Sequence, residues 1–284
     1  MISRNDTNKI IITTLFIHMI LSIFAINNML YTDVVPCLSS FEDDAVSKVC
    51  NENLNIKSKN TYEAPQISSY PEVSSRPICN VDTDDKVVSF SFDDGYNHDN
   101  ILKILDIFKK NGNLKTTFFF CGHSIDSDNI DSEREKRDHS VKVVYDNGHE
   151  IGNHSDSHSN FKKLDKKKSE YEIVQCNEKI RNITGQSPIV FRFPYGSYNQ
   201  NSLEVIKELN MYPIQWNIDT LDWKKTSTCD SICNKIINNL SSGSIILMHT
   251  NGKHTPEALE IVIPKILELG YKIIPVSDLI TRKY

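Results

Sequence analysis

Val87-Val88-Ser89-Phe90-Ser91-Phe92-Asp93-Asp94-Gly95 is the stretch on which the fold turns. Residues 87–92 form a short run rich in β-branched and aromatic side chains, and such runs read as strands. Six more runs of this kind follow, at 117–120, 150–153, 190–192, 214–218, 244–247 and 272–276. Helical stretches near 99–110, 138–147, 161–184, 200–209, 230–240 and 255–269 separate them. Gly112, Gly148, Gly185 and Gly270 stand just after four of these helices, as C-terminal caps do. Seven strands alternating with helices predict a parallel sheet, either a barrel or an open doubly wound sheet. Both architectures gather chemistry at the C-terminal ends of the strands. For the first strand that end is Asp93 and Asp94.

The surroundings of this pattern divide the chain of 284 residues. Residues 1–85 carry 11 acidic and 6 basic side chains, whereas residues 86–284 carry 26 of each, so the net charge of −5 belongs to the leader. All ten glycines lie in the second part. The composition, 39% hydrophobic and 24% charged, is globular rather than disordered. Its mildly acidic balance argues against a nucleic-acid partner. An electrically balanced domain of about 200 residues can bury one substantial core, and its neutrality suits an uncharged polymer.

Three regions are expected: 1–30, 31–79 and 80–284. The apolar run 10–26, broken only by Thr13, Thr14, His18 and Ser22 and preceded by Arg4 and Lys9, reads as a signal peptide or an N-terminal membrane anchor. Either one places the main domain outside the cytosol, in the secreted or extracellular space. Residues 31–79, rich in Ser, Asn and Pro, read as a stalk. Seven cysteines fit an oxidising compartment, and their odd number leaves at least one unpaired within the chain. Cys229 and Cys233 are close enough in sequence for a local bridge, Cys79 could tie the leader to the domain, and Cys121 has the alternative of a buried free thiol. The segment Ser124–Ser140 reads as a mouth loop or a solvated surface loop. Lys162, Lys163, Lys166, Lys167 and Lys168 read as an exposed helix start. The sequence sets no oligomeric state.

Five segments carry chemistry. Adjacent side chains of an extended strand point to opposite faces, so Asp93 and Asp94 can serve one site only if the strand bends, and Gly95 permits a turn. The plain alternative is an Asp cap at a strand-to-helix turn. His154 and His158, four residues apart after the third strand, would lie on one face of a helical turn and could share a cation. With Asp94 they make a two-histidine, one-carboxylate set that leaves positions open for water, the pattern of a catalytic metal site. Arg192-Phe193-Pro194-Tyr195-Gly196 follows the fourth strand. Its arginine can hold a carboxylate in fixed geometry, and its turn can aim backbone N–H groups at a developing oxyanion. Asp219-Thr220-Leu221-Asp222-Trp223 and Leu247-Met248-His249 end the fifth and sixth strands.

In this order the five segments resemble the five motifs of the polysaccharide deacetylase family (carbohydrate esterase family 4, the NodB-homology domain). The resemblance covers about residues 80–280, with Ser91 where threonine is usual, and eukaryotic chitin deacetylases are the branch it suggests. It implies a distorted (β/α) barrel of about seven parallel strands with peripheral helices, and one divalent metal, Zn2+ or alternatively Co2+. By resemblance Asp93 is the general base, Asp94, His154 and His158 hold the metal, and His249 is the general acid. Arg192 positions Asp93, Asp222 pairs with His249, and the Tyr195 N–H joins the oxyanion hole. Trp223 and Leu247 line the pocket for the acetyl methyl group. The implied reaction removes N-acetyl groups from chitin or chitooligosaccharides, giving acetate and glucosamine units. The alternatives are an O-acetyl-polysaccharide esterase, a peptidoglycan deacetylase, or a wall carbohydrate-binding protein with little turnover.

Overall fold

The computed structural model describes residues 70, 72–73, 76–125 and 140–283, all within one unit that spans 58–284. The expected signal or anchor (10–26), most of the expected stalk and most of the loop over 124–140 lie outside the described residues. Among the described residues, no helix is long and apolar enough to cross a membrane.

Among the described residues eight strands form the sheet: β1 (Val87–Asp93), β2 (Thr117–Phe120), β3 (Glu150–Asn153), β4 (Val190–Phe191), β5 (Tyr212–Pro213), β6 (Ile218–Asp219), β7 (Ile245–His249) and β8 (Lys272–Ile273). Their order is β5-β4-β3-β2-β1-β7-β6, every pairing is parallel, and β8 joins β1 at Val87 and Val88. Six helices of five or more residues whose full bounds are described flank it: α1 (His98–Lys110), α2 (Lys166–Thr184), α3 (Gln200–Glu208), α4 (Cys229–Asn239), α5 (Thr255–Glu268) and α6 (Val276–Ile280). Residues 140–146 are also helical.

All seven residues of β1 are buried, which is the condition of a parallel strand covered on both faces. Val88, Phe90 and Phe92 pack outward with Ile101, Ile104 and Phe108 of α1. Val87 faces the other way, into an inner cluster with Phe119, Ile214 and Ile245. Ser89 and Ser91 share that inward parity. Burying a hydroxyl is costly unless it is bonded, and both are: their Oγ atoms donate to the carbonyls of Ile274 (2.6 Å) and Ile246 (2.8 Å). The same parity carries Asp93 to the inner side at the strand's end. Gly152, paired with Phe119 across β2 and β3, is required by close approach, since a Cβ there would overlap the Phe119 ring.

Two strand expectations need correction. The run 214–218 is not one strand. Tyr212–Pro213 pairs with β4 at one edge of the sheet, and Ile218–Asp219 pairs with β7 at the other. The five steps from Pro213 to Ile218 reach at most about 18 Å, so the two edges must lie near each other and the sheet is curled into a half-barrel. This decides between the barrel and the open sheet. Main chain 78–81 lies across the gap: Ile78 N–H donates to Pro213 O (2.8 Å), Gln215 N–H to Ile78 O (2.8 Å) and Val81 N–H to Gly243 O (2.9 Å). The apolar, aromatic character of 214–218 thus reflects burial at the closure of the barrel. The second correction is at 272–276, where the strand stops at Ile273 and Pro275 caps α6 instead.

Among the described cysteines no disulfide occurs. Cys229 and Cys233 stand with Sγ atoms 4.0 Å apart and unbonded, and Cys79 is an exposed free thiol. Cys121 is a buried free thiol, its pKa pushed up to about 12 by burial. The lysines at 162–168 are exposed at the start of α2, as expected.

Candidate active site

At the end of β1 the chain leaves the extended conformation at once. Asp94 itself has φ 78° and Gly95 has φ 79°, both left-handed. This turn lets two successive carboxylates reach one mouth. Asp93 is 3% exposed, and its Oδ1 accepts a hydrogen bond from Arg192 Nη1 at 2.8 Å. Arg192 is wholly buried. Its Nη2 donates to the Gln215 carbonyl at 3.0 Å, and its guanidinium lies 4.2 Å from the Phe119 ring centroid and 5.7 Å from that of Trp216. Burial by itself raises the Asp93 pKa. The charges of Arg192, His154 and His249 outweigh it, so the carboxyl sits below its usual range and is ionised at neutral pH.

His154 is 2% exposed and its Nδ1 lies 2.9 Å from the Arg192 carbonyl. A carbonyl only accepts, so Nδ1 donates to it and Nε2 is the nitrogen left for a cation. That Nε2 is 3.8 Å from Asp94 Oδ1 and 3.6 Å from Asp93 Oδ2, and His158 Nε2 is 3.5 Å from Asp94 Oδ1. The three candidate ligand atoms of Asp94, His154 and His158 all lie within 4.8 Å of one another. Burial, together with the neighbouring His154, lowers the His158 pKa and favours the neutral, ligating imidazole. Two nitrogen donors and one carboxylate oxygen, with a tautomer set by a main-chain carbonyl, fit a divalent cation. The helical turn expected over 154–158 is absent. The two imidazoles meet through a loop in which Ser155 (φ 65°) and His158 (φ 57°) are both left-handed.

Across the mouth, β7 pairs His249 directly with Asp93 in register. His249 Nδ1 lies 2.8 Å from Asp222 Oδ1, and its backbone N–H donates to Asp222 Oδ2 at 2.8 Å. Thr255 Oγ1 donates to the same Oδ2 at 2.5 Å, so the buried Asp222 is well satisfied. Burial depresses the His249 pKa. The Asp222 hydrogen bond and charge, with Asp93 and Asp94 beyond, overcome that and raise it to about 9. The imidazole is therefore protonated at neutral pH, with Nδ1–H on Asp222 and Nε2–H available.

A pocket of about 410 Å³ joins these groups. Asp93, Asp94, His154, His158 and His249 line it, with Tyr195, Trp223 and Leu247 around them. Tyr195 is left-handed (φ 60°), 69% exposed, and its ring meets His158 edge-on at 4.6 Å. Arg192 and Asp222 lie beneath the pocket, each behind the group it holds. All ten residues singled out in the sequence therefore converge here. Trp216 and Asp219 also line the pocket but had no assigned role, and Asn251 Nδ2 approaches Asp94 Oδ2 at 3.4 Å. The signal for Trp216 was hidden because its run read as one strand.

The half-barrel mouth thus sets an ionised carboxylate on a buried arginine and a protonated imidazole on a buried aspartate around a trio fit for a cation. That is the make-up of a hydrolytic acid–base centre. The chain belongs to the polysaccharide deacetylase family: the family model described as "Polysaccharide deacetylase" matches residues 80–214. A peptidoglycan-N-acetylglucosamine deacetylase of Bacillus cereus is 34% identical over 196 residues, covering 68% of this chain and 67% of that protein. Among solved structures, a CE4 family pseudoenzyme from Bacillus anthracis matches with a TM-score of 0.67 and 28% identity, covering 74% of this chain and 70% of that one. A family 4 acetyl xylan esterase from Clostridium thermocellum, in complex with a cobalt ion, matches at 0.62 and 27%, covering 69% and 91%. These relatives are bacterial, and the suggested branch of eukaryotic chitin deacetylases draws no support from them.

Proposed function

We propose that this chain is an active, metal-dependent deacetylase that removes N-acetyl groups from N-acetylglucosamine units of a peptidoglycan-type glycan. The observation that carries the reading is the facing of the Asp93–Arg192 and His249–Asp222 pairs across one pocket, beside the Asp94, His154 and His158 trio. Membership of the family does not by itself guarantee turnover, since the family includes a pseudoenzyme. The presence together of both pairs and the three candidate ligands favours turnover here. The choice of peptidoglycan over the chitin expected from sequence rests on the similarity to the peptidoglycan-N-acetylglucosamine deacetylase of Bacillus cereus.

Asp94, His154 and His158 would hold the divalent cation, zinc or cobalt. Such an ion supplies Lewis acidity towards a carbonyl oxygen and a lowered pKa for water. Asp93, kept ionised and aimed by Arg192, takes a proton from the attacking water. The left-handed turn at Tyr195 offers its backbone N–H to the oxyanion, and Trp223 and Leu247 receive the methyl group. His249 gives its Nε2 proton to the departing amine, while Asp222 stabilises the imidazolium. One water and one amide become acetate and a free amine. A signal or anchor at 10–26 would place this chemistry at the outer face of the cell, where such glycans lie.

The test measures acetate released by the purified chain, loaded with Zn2+ or Co2+, from peptidoglycan fragments and from chitin oligomers in parallel. Release from peptidoglycan fragments that a chelator stops is expected. Release from chitin oligomers alone restores the chitin reading, and release from neither by the metal-loaded chain removes the enzyme reading.

A further inference from the structure

The loop between the two imidazoles holds an unfavourable shape, with Ser155 and His158 both left-handed. Non-glycine residues stay in that region only where their surroundings impose it. One residue outside the loop receives most of its donors. Glu172, on α2 and 9% exposed, accepts Ser157 N–H at Oε2 (2.8 Å). Its Oε1 accepts Ser157 Oγ (2.5 Å) and Ser159 Oγ (3.1 Å). Its main-chain carbonyl accepts Asp156 N–H at 2.9 Å. A single residue therefore grips positions 156, 157 and 159, on both sides of His158.

His154 is set independently. It continues β3, its N–H donates to Phe120 O at 2.9 Å, and its ring is held by the Arg192 carbonyl. His158 has no such strand behind it, being five residues past the end of β3. Glu172 does not line the pocket, and none of the proton transfers uses it.

We propose that Glu172 is a positioning residue for the cation site, its carboxylate holding His158 where Nε2 shares one position with Asp94 and His154. The proposal rests on reading those three residues as cation ligands. Groups that fix a ligand's orientation from behind govern metal affinity, and Glu172 acts through the flanking loop rather than on the imidazole itself. Removing Glu172 releases His158 and leaves His154 in place.

Co2+ binding to the full-length chain tests this, by calorimetry and by the visible absorption of the bound ion, in the native protein and in Glu172→Ala, Glu172→Gln, Ser157→Ala and His158→Ala. Glu172→Ala is expected to weaken binding about 10- to 100-fold and to move the Co2+ spectrum to that of His158→Ala. Glu172→Gln keeps one acceptor oxygen on the same stem and is expected within about fivefold of native, whereas Ser157→Ala loses roughly 3- to 10-fold. A folded Glu172→Ala with native affinity and spectrum overturns the proposal, even if its melting temperature falls. Should that variant not fold, native affinity and spectrum in Ser157→Ala overturn it. A native chain that binds no Co2+ overturns the cation-site reading first and the proposal with it.

Discussion

Replacing Asp222 by Asn tests whether His249 is held protonated by its buried partner. The native carboxylate accepts three hydrogen bonds, from His249 Nδ1, His249 N–H and Thr255 Oγ1. Against burial, and with Asp93 and Asp94 adding smaller contributions, it lifts His249 from 6.5 to about 9, a difference worth about 3 kcal/mol. Without that charge, burial dominates and the pKa returns to 6.5 or lower. At pH 7.5 the protonated fraction then falls from nearly all to about a tenth, so the loss of acid alone predicts at least a tenfold drop in kcat. Titration of the His249 ring proton by NMR in the metal-free protein reads the shift directly. Stability supplies a second reading. A histidine whose folded pKa is raised contributes fully below its unfolded pKa of 6.5 and loses that contribution as pH rises through about 9. Asp222→Asn should therefore lower Tm at pH 6 by roughly 6 to 12 °C, and by clearly less at pH 10. A His249 that still titrates near 9 in the variant, or a Tm deficit equal at both pH values, would refute the reasoning.

Three further outcomes are expected. Asp93→Asn should keep Co2+ binding within a few-fold while turnover falls about 10²- to 10⁴-fold; acetate release near the native rate from that variant removes Asp93 from the base role. Gly152→Ala places a methyl group on the Phe119 ring that lies under Arg192, so overpacking should cost about 1–3 kcal/mol in denaturant titration, and an unchanged midpoint contradicts the packing described. Glu150 is fully buried, and its pKa is raised to about 7 by burial against the hydrogen bonds from Thr117 and Ser277. A carboxyl with a raised folded pKa favours folding below its unfolded value of 4.5 and loses that contribution as pH rises through about 7. Glu150→Gln should therefore gain about 3 kcal/mol relative to native between pH 4.5 and pH 8, read as the difference in unfolding midpoints; a difference that does not change with pH excludes this titration.

Much of the site was legible because its residues stand next to strand signals that are local. Thr117–Phe120 and Glu150–Asn153 were read to the residue, since short β-branched or aromatic runs between capped helices leave few alternatives. Strand-end chemistry then followed from the topology. What was misread depended on non-local closure. The run 214–218 has strand composition because it is buried where the barrel's edges approach, a fact about the other end of the sheet. The spacing of His154 and His158 suggested a helical turn, because spacing cannot report that Ser155 and His158 take left-handed angles under the grip of α2.

By itself, then, the sequence determined the alternation of strands and helices, the family, and the ten residues that meet at the mouth, because periodicity, caps and motif order are encoded in neighbours along the chain. Only the tertiary structure decided the half-barrel over the open sheet, the bend that turns Asp93 and Asp94 to one side, and the opposite protonation of Asp93 and His249. It also placed Trp216 at the pocket and bonded Glu172 to the loop that carries His158. Each of these depends on burial and on charges brought together from distant segments: Arg192 reaches Asp93 across 99 positions, and Asp222 reaches His249 across 27. Desolvation and partner charge set those ionisation states, and neither exists until the chain has closed around them.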